Sequence, residues 1–324
     1  MPRLRRVHSG DPGWARRRQG RGLLYLDETG TRITDPELIA YCRDLVIPPA
    51  WQEVWICPYA NGHILAMGTD DAGRRQYLYH PQWRARRDRA KHGHVLEVAR
   101  RLPSARRKVL ADLALPDMPR EKVLALAFRL LDDAYFRAGG EAYAKENGSY
   151  GLATVLREHV ETDREGVSFC YPAKSGQVRE SRVQDPLISG LVGELRDRDD
   201  DNPELLAWHD ADGWHDVLTG DIQGYVKDRL GPAARPKDFR TWHATVLAAA
   251  GLAAAGPPPR AERARRKVVA AVVQEVADEL GNTPAVCRSS YIDPRLIDLW
   301  ERGQTIGSRR TRASAERAVL ELLT

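Results

Sequence analysis

Gly281-Asn282-Thr283-Pro284-Ala285-Val286-Cys287-Arg288-Ser289-Ser290-Tyr291 is the stretch toward which the rest of the chain is organised. A long amphipathic pattern stops at Gly281, the residue type that closes helices in a left-handed turn. Pro284, suited to the first turn of a helix, opens a new one. Asn282 therefore falls in the joint, and Tyr291 follows about two helical turns later. A tyrosine there also fits an ordinary core position, so its role depends on the residues that converge with it.

Immediately upstream, Ala261–Leu280 reads as a helix with Val269, Val272, Val273, Val276 and Leu280 on its inward face. Before it, Gly256-Pro257-Pro258-Pro259 is a rigid break. Pro236–Ala254 is another helix, with Phe239, Trp242, His243, Val246 and Leu247 on its apolar side. Lys237 and Arg240 share one face near its start. Cations at the positive end of a helix are unfavourable unless an anion sits there.

Further upstream the spacing predicts a helix over Pro119–Phe136, started by Asp117 and Pro119 and stopped by Gly139-Gly140. Arg137 then projects from its end, where a cation also simply complements the helix dipole. His94–Leu102 reads as a short amphipathic helix. Val167–Tyr171 and Gln177–Val183 alternate as two strands around the turn Pro172–Gly176, which puts Lys174 at a hairpin tip. A tip lysine is commonly solvated, but inserted into a groove it carries a positive charge and a mobile proton.

The first third has another character. Gly22–Leu26, Val54–Cys57, His63–Met67 and Arg75–Tyr79 are strand-like, separated by turn signals, and Asp35–Leu45 has helical spacing. In the last strand, alternation sends Arg75, Tyr77 and Tyr79 to one face and Gln76 and Leu78 to the other. The basic run Trp83–Lys91 follows. Such groups suit contacts with base edges and phosphates, and they equally suit a half-buried sheet edge beside a solvated charge run. The predicted fold class is α+β: a small strand-rich N-terminal domain, 1–89, and a larger mainly helical domain, 90–324, carrying a small β-hairpin sheet.

Composition sets limits on function. The chain has 324 residues and a formal charge of +5. Residues 1–100 hold 17 basic and 11 acidic side chains, so the excess lies at the front, as a polyanion-binding surface would have it. With 42 Arg against 8 Lys, a single arginine says little and a lysine says more. Cys42, Cys57, Cys170 and Cys287 form no CxxC pair and read as reduced, mostly buried thiols. No signal-peptide pattern opens the chain, and Val246–Ala255 is too short to span a bilayer. A soluble cytoplasmic protein without membrane association is expected.

No HExxH, Walker loop, GxSxG or acidic metal cluster is present in the sequence. The remaining set is Arg137, Lys174, Lys237, Arg240, Asn282 and Tyr291. Guanidinium groups can neutralise a phosphodiester as charge builds, an ammonium can protonate a departing alkoxide, and a phenol can attack. Together these suit phosphoryl transfer without a metal.

On these residues the chain resembles the type IB DNA topoisomerases, in their small poxvirus-like bacterial form. The resemblance runs from Arg75–Tyr79 through Phe136-Arg137-Ala138-Gly139, Gly151-Leu152-Ala153-Thr154, Lys174-Ser175-Gly176 and Lys237-Asp238-Phe239-Arg240 to Asn282-Thr283-Pro284 and Tyr291. It implies the catalytic fold shared with tyrosine recombinases and a monomer that clamps double-stranded DNA of the nucleoid. Tyr291 would attack one strand to form a 3′-phosphotyrosyl link, with rotation and resealing to follow. Neither ATP nor metal would be needed, and no cofactor is implied. By the same resemblance Arg137 and Arg240 clamp the phosphate, Lys174 is the general acid, and Lys237 assists leaving-group protonation. Gln76, Tyr77, Tyr79 and Tyr143 would contact DNA, with Arg75 beside them.

The family usually has histidine where this chain has Asn282, which can donate to a phosphate but carries no charge. Tyr291 is expected to lie apart from the arginines until DNA draws them together. Two other readings stand beside this one. A tyrosine recombinase usually has His-x-x-Arg in place of Lys237-x-x-Arg240 and a helical front domain. In a non-catalytic DNA-binding protein, Tyr291 would be core.

Overall fold

Five antiparallel strands form the front of the chain in a computed structural model that describes residues 3–20, 22–173 and 176–324. They are β1 (Trp14–Gln19), β2 (Gly22–Leu26), β3 (Gln52–Ile56), β4 (Ile64–Thr69) and β5 (Arg75–Tyr79), in the order β2-β1-β3-β4-β5. Helix α1 (Pro36–Asp44) is inserted after β2 and is capped by Asp35, whose carboxylate accepts from the Glu37 N–H. Trp14, Tyr25, Ile33, Cys42, Val54, Ile56 and Ala66 make the core of this unit.

Strand β1 was not legible in the sequence. Its Arg16-Arg17-Arg18 run hides the alternation, because Arg16 turns back to donate to the carbonyls of Ile47, Pro48 and Trp51. An arginine can thus occupy a partly buried position by capping loop carbonyls.

Helix α2 (Pro81–Leu113) absorbs both the basic run and the short helix expected at His94–Leu102. It passes through Pro103, a residue that ordinarily breaks a helix. Burial of Val95, Leu96, Val98, Ala99 and Leu102 before the proline, and of Ala105, Val109 and Leu113 after it, anchors both halves. The chain divides into two compact units, Met1–Lys91 and His92–Thr324. The boundary expected at 89/90 lies inside α2.

The second unit is mainly helical, as the α+β reading requires. It contains α3 (Arg120–Asp133), α4 (Glu141–Asn147), β6 (Val160–Thr162), β7 (Val167–Pro172), β8 (Val178–Val183), α5 (Pro186–Arg196), β9 (Ala207–Asp210) and β10 (Gly213–Asp216). It continues with α6 (Thr219–Leu230), α7 (Pro236–Ala254), α8 (Glu262–Leu280), α9 (Pro284–Ser290), α10 (Arg295–Glu301) and α11 (Arg312–Leu323). Strands β6, β7 and β8 form one small antiparallel sheet, and β9 and β10 a separate hairpin. Phe128 of α3 meets Phe239 of α7 edge to face at 4.9 Å in the core.

Helix α3 ends three residues before the expected Phe136. Asp132 is drawn into a buried ionic cluster, and Tyr135 adopts φ 57°, which turns the chain out of the helix. Cys42, Cys57 and Cys287 are buried, but Cys170 is exposed because it points outward on alternating β7. Among the described residues, no helix is long and apolar enough to cross a membrane.

Candidate active site

The last turn of α8 organises the site. A helix leaves its final carbonyls without partners inside the helix. Gly281 closes α8 in the left-handed region at φ 61°, and the Asn282 N–H returns to the Ala277 carbonyl at 2.9 Å. Thr283 then caps α9 by accepting from the Val286 N–H at 3.4 Å, and Pro284 fits the first turn. Buried Cys287 pins this short helix, and Tyr291 follows it directly, its N–H bonded to the Cys287 carbonyl at 3.0 Å. The Thr245 hydroxyl of α7 donates to the Tyr291 carbonyl at 3.3 Å, tying the tyrosine to the core.

Three arginines take three successive carbonyls at this helix end. Arg179 of β8 donates to Glu279 at 2.8 Å, Arg240 of α7 to Leu280 at 2.8 Å, and Arg137 to Gly281 at 3.1 Å. The negative end of the α8 dipole favours all three cations. Arg240 also donates to the Tyr135 carbonyl, which the strained φ of Tyr135 turns toward it. Arg137 also donates to Asn282 Oδ1 at 2.6 Å.

None of these arginines forms an ion pair with a carboxylate among the described residues, whereas Arg106, Arg129, Arg295 and Arg312 all do. Neutral carbonyls fix the guanidinium groups in place without cancelling their charge. Arg240 is only 2% exposed. Burial, with the nearby Arg137 charge, lowers its pKa to about 10, so it stays protonated at neutral pH.

A cleft of about 520 Å³ opens in front of this turn, lined among others by Arg137, Arg235, Lys237, Arg240, Asn282 and Tyr291. No Asp or Glu is among the described residues that line it. Four cations without a carboxylate make an anion site on charge alone. The guanidinium carbon of Arg240 lies 5.2 Å from the centre of the Tyr291 ring. The expectation that Tyr291 stands apart from the arginines is therefore corrected. Arg240 is held rigidly by two carbonyls, and the tyrosine backbone is held by Cys287 and Thr245.

Asn282 presents a buried amide donor at the cleft. Its Oδ1 is used by Arg137, which fixes the amide orientation, and its Nδ2 is buried without a hydrogen-bond partner among the described residues. An unsatisfied buried donor costs about 1–3 kcal/mol, which an anionic oxygen in the cleft would recover. Lys237 is exposed at the rim. Asp238 in the same first turn supplies negative charge at this helix end; it accepts from the Arg235 N–H at 2.9 Å and lies 2.9 Å from His94 Nε2 of α2.

The remaining expected residues are dispersed. Lys174 lies outside the described residues, although Gln177, beyond the same turn, lines the cleft. The Tyr143 side chain is likewise outside the described atoms, on helix α4. In the first unit, Arg75, Tyr77 and Tyr79 share the exposed face of β5, and the two rings stack at 5.9 Å. Gln76 points to the other face and donates to Asp70 at 2.8 Å, so its amide nitrogen is engaged in the β4–β5 turn. Arg179, Arg235, Thr219 and Gln223 were missed. Only Arg179 had a signal, its place on an alternating strand, and the arginine-rich composition masked it.

A family model described as the bacterial DNA topoisomerase IB N-terminal domain matches residues 22–70, and one described as the eukaryotic DNA topoisomerase I catalytic core matches residues 80–310. The DNA topoisomerase 1B of Acanthamoeba polyphaga mimivirus is 24% identical over 284 residues, covering 86% of this chain and 84% of the viral one. The DNA topoisomerase 1B of Vaccinia virus (strain Copenhagen) is 24% identical over 266 residues, covering 79% and 76%. The DNA topoisomerase I of Monkeypox virus matches to the same extent, at 24% over 266 residues. The catalytic-core match alone spans well over half of the sequence, and the chain belongs to the type IB DNA topoisomerase family.

Proposed function

We propose that this protein relaxes supercoiled duplex DNA by transient cleavage of one strand, with Tyr291 as the nucleophile. The phenol oxygen attacks a backbone phosphorus, a Tyr291 O–P bond forms, and the bond from phosphorus to the 5′ oxygen breaks. The phenol gives up its proton and the departing 5′ oxygen takes one. The enzyme is then joined to a 3′ phosphate, and the duplex downstream of the nick can rotate. The 5′ hydroxyl attacks back, the phosphotyrosyl bond breaks, and the strand is resealed. The energy of the broken diester is kept in the phosphotyrosine, so no nucleotide hydrolysis enters the balance.

In this reading Arg137 and Arg240 hold the non-bridging oxygens, and the Asn282 amide donates a third hydrogen bond. All three act most strongly as charge accumulates on those oxygens, which is the condition for accelerating the step. Lys174, by its sequence position, is the general acid for the departing oxygen, and Lys237 at the rim assists it. Arg75, Tyr77 and Tyr79 contact the duplex from the exposed face of β5, with Gln76 and Tyr143 as further contacts. One chain supplies the whole residue set, which supports action as a monomer; its substrate in this reading is chromosomal DNA in the cytoplasm.

The observation that carries the reading is the placement of Tyr291 beside Arg240 in a cleft whose arginines have no carboxylate partner among the described residues. The test is a nicked duplex carrying a label on the strand 5′ to the expected break. Denaturing gels should trap the label on wild-type protein, peptide mapping should locate it on Tyr291, and Tyr291→Phe should trap none. A label attached elsewhere, or through a 5′ phosphate, would overturn the assignment.

A further inference from the structure

The β7–β8 hairpin packs against the chain on two sides of Arg137, at Phe136 and at the α8 end that Arg137 caps. Tyr171 of β7 stacks on Phe136, the residue before Arg137, with ring centres 5.5 Å apart. Its register partner across the hairpin is Arg179. Arg179 reaches the other side of the site, where it donates to the Glu279 carbonyl at 2.8 Å. It also packs so closely against Gly281 that a Cβ on that glycine would stand 2.9 Å from Arg179 Cδ and Nη1. The carbonyl of the same Gly281 accepts from Arg137, and the next residue is Asn282.

We propose that Arg179 is a positioning residue of the strand-cleavage reaction, fastening the β7–β8 hairpin to the α8–α9 joint on which Arg137 and Asn282 are mounted. The proposal rests on reading the cleft as a strand-cleavage site. Arg179 itself is not among the residues lining that cleft. It acts on the joint, and through the joint on the two donors that face the phosphate.

Two physical features favour this over a merely solvated strand arginine. The side chain is partly buried, and its pKa is lowered chiefly by that burial, a cost the fold bears for a cation with no salt bridge among the described residues. Its fork also meets backbone that cannot shift freely, because Gly281 already occupies the left-handed cap of α8. Removing the strut frees the joint, and a displacement of about 1 Å at a reacting centre costs on the order of 10²-fold in rate.

The test compares single-turnover cleavage of a labelled duplex at saturating protein with duplex affinity measured in the Tyr291→Phe background. Arg179→Ala should slow cleavage by roughly 10- to 100-fold while affinity changes by less than about threefold. Arg179→Lys, which keeps one donor to Glu279, should recover part of the rate, and it serves as the variant if Arg179→Ala fails to fold. In an Arg137→Ala background, where the anchored guanidinium is gone, the further loss from Arg179→Ala should shrink to about threefold or less. Normal cleavage by Arg179→Ala, or full additivity with Arg137→Ala, would overturn the proposal. If wild type does not cleave or Tyr291→Phe does, the reading of the cleft itself fails.

Discussion

Arg137 and Asn282 are joined by a 2.6 Å hydrogen bond that occupies the amide oxygen and leaves the amide nitrogen as a buried donor with no partner among the described residues. The orientation of Asn282 is thus set by the arginine with which it would share a phosphate. A neutral donor held this way costs nothing to orient at the moment of reaction, which is the condition under which such groups stabilise developing charge.

Asn282→Ala should therefore reduce single-turnover cleavage by about 10²-fold, the size seen on removing one donor from an oxyanion site. Asn282→His should remain active. Because the wild-type donor does not titrate, its cleavage rate should have no limb at pH 6–7, and Asn282→His should acquire one. Rapid-quench cleavage assays from pH 5.5 to 8.5 check both, and normal cleavage by Asn282→Ala would remove the donor role.

Arg240 needs its planar fork. Its two terminal nitrogens serve the Tyr135 and Leu280 carbonyls, and lysine cannot span both. Arg240→Lys should lose cleavage by more than about 10²-fold. It should also unfold at lower denaturant, since a buried carbonyl left unsatisfied costs about 1–3 kcal/mol. Cleavage and urea unfolding measured on the same preparation check the pair.

The scaffold behind the site should make stability depend on pH. Asp132 of α3 receives Arg106 of α2 at 2.7 Å and Arg312 of α11 at 2.7 Å, and lies 2.8 Å from His243 of α7. Glu316 of α11 accepts from Arg106 at 2.6 Å, and Asp133 accepts from Arg312 at 2.7 Å. Burial alone would raise the Asp132 carboxyl, but hydrogen bonds from His243 and Arg106 and the charge of Arg312 hold it far below its ordinary value. Burial and Arg312 also lower the His243 pKa. Both groups bind protons more tightly when unfolded, so both contribute stability that is present at neutral pH and lost on acidification. The Tm should be flat above pH ~7, begin to fall below pH ~6.5, where the unfolded chain binds the proton that folded His243 resists, and fall further below pH ~4, where the unfolded Asp132 carboxyl does the same. Asp132→Asn should cost about 3–5 kcal/mol at pH 7, as breaking a buried ion pair does, and should flatten the lowest part of the profile.

The stacked Tyr77–Tyr79 pair on β5 should serve binding and not chemistry. Tyr77→Ala and Tyr79→Ala should weaken duplex affinity by several-fold and leave the cleavage rate at saturating protein within about threefold. Affinity should also fall steeply as salt rises, because binding displaces counterions from phosphates. Titrations at several salt concentrations check this, and a salt-independent affinity would contradict it.

Much of this was legible in the sequence because local chemistry and tertiary structure agree. The Gly281 cap, the Pro284 start, the helix of Lys237 and Arg240, and the hairpin strands each follow from residue type and period, and each is present. Several of the failures involve arginines used for purposes that composition conceals. Arg16 disguised a strand by capping a loop. Nothing local singles out Arg179 on its strand, because its partner Glu279 lies a hundred residues away. The early end of α3 depended on Asp132, whose partners lie on α2, α7 and α11, and no local pattern reports a cluster assembled from that far apart. The position of Tyr291 was misjudged for a related reason. The carbonyl anchors of Arg240 belong to Tyr135 and Leu280, so the pre-set guanidinium is invisible to motif spacing.

The most direct measurement is relaxation of a negatively supercoiled plasmid by the purified protein in EDTA without ATP, beside Tyr291→Phe. Wild type should convert the plasmid to relaxed topoisomers and Tyr291→Phe should leave it supercoiled. A wild-type protein that does not relax the plasmid, or a Tyr291→Phe variant that relaxes it equally well, would contradict the account.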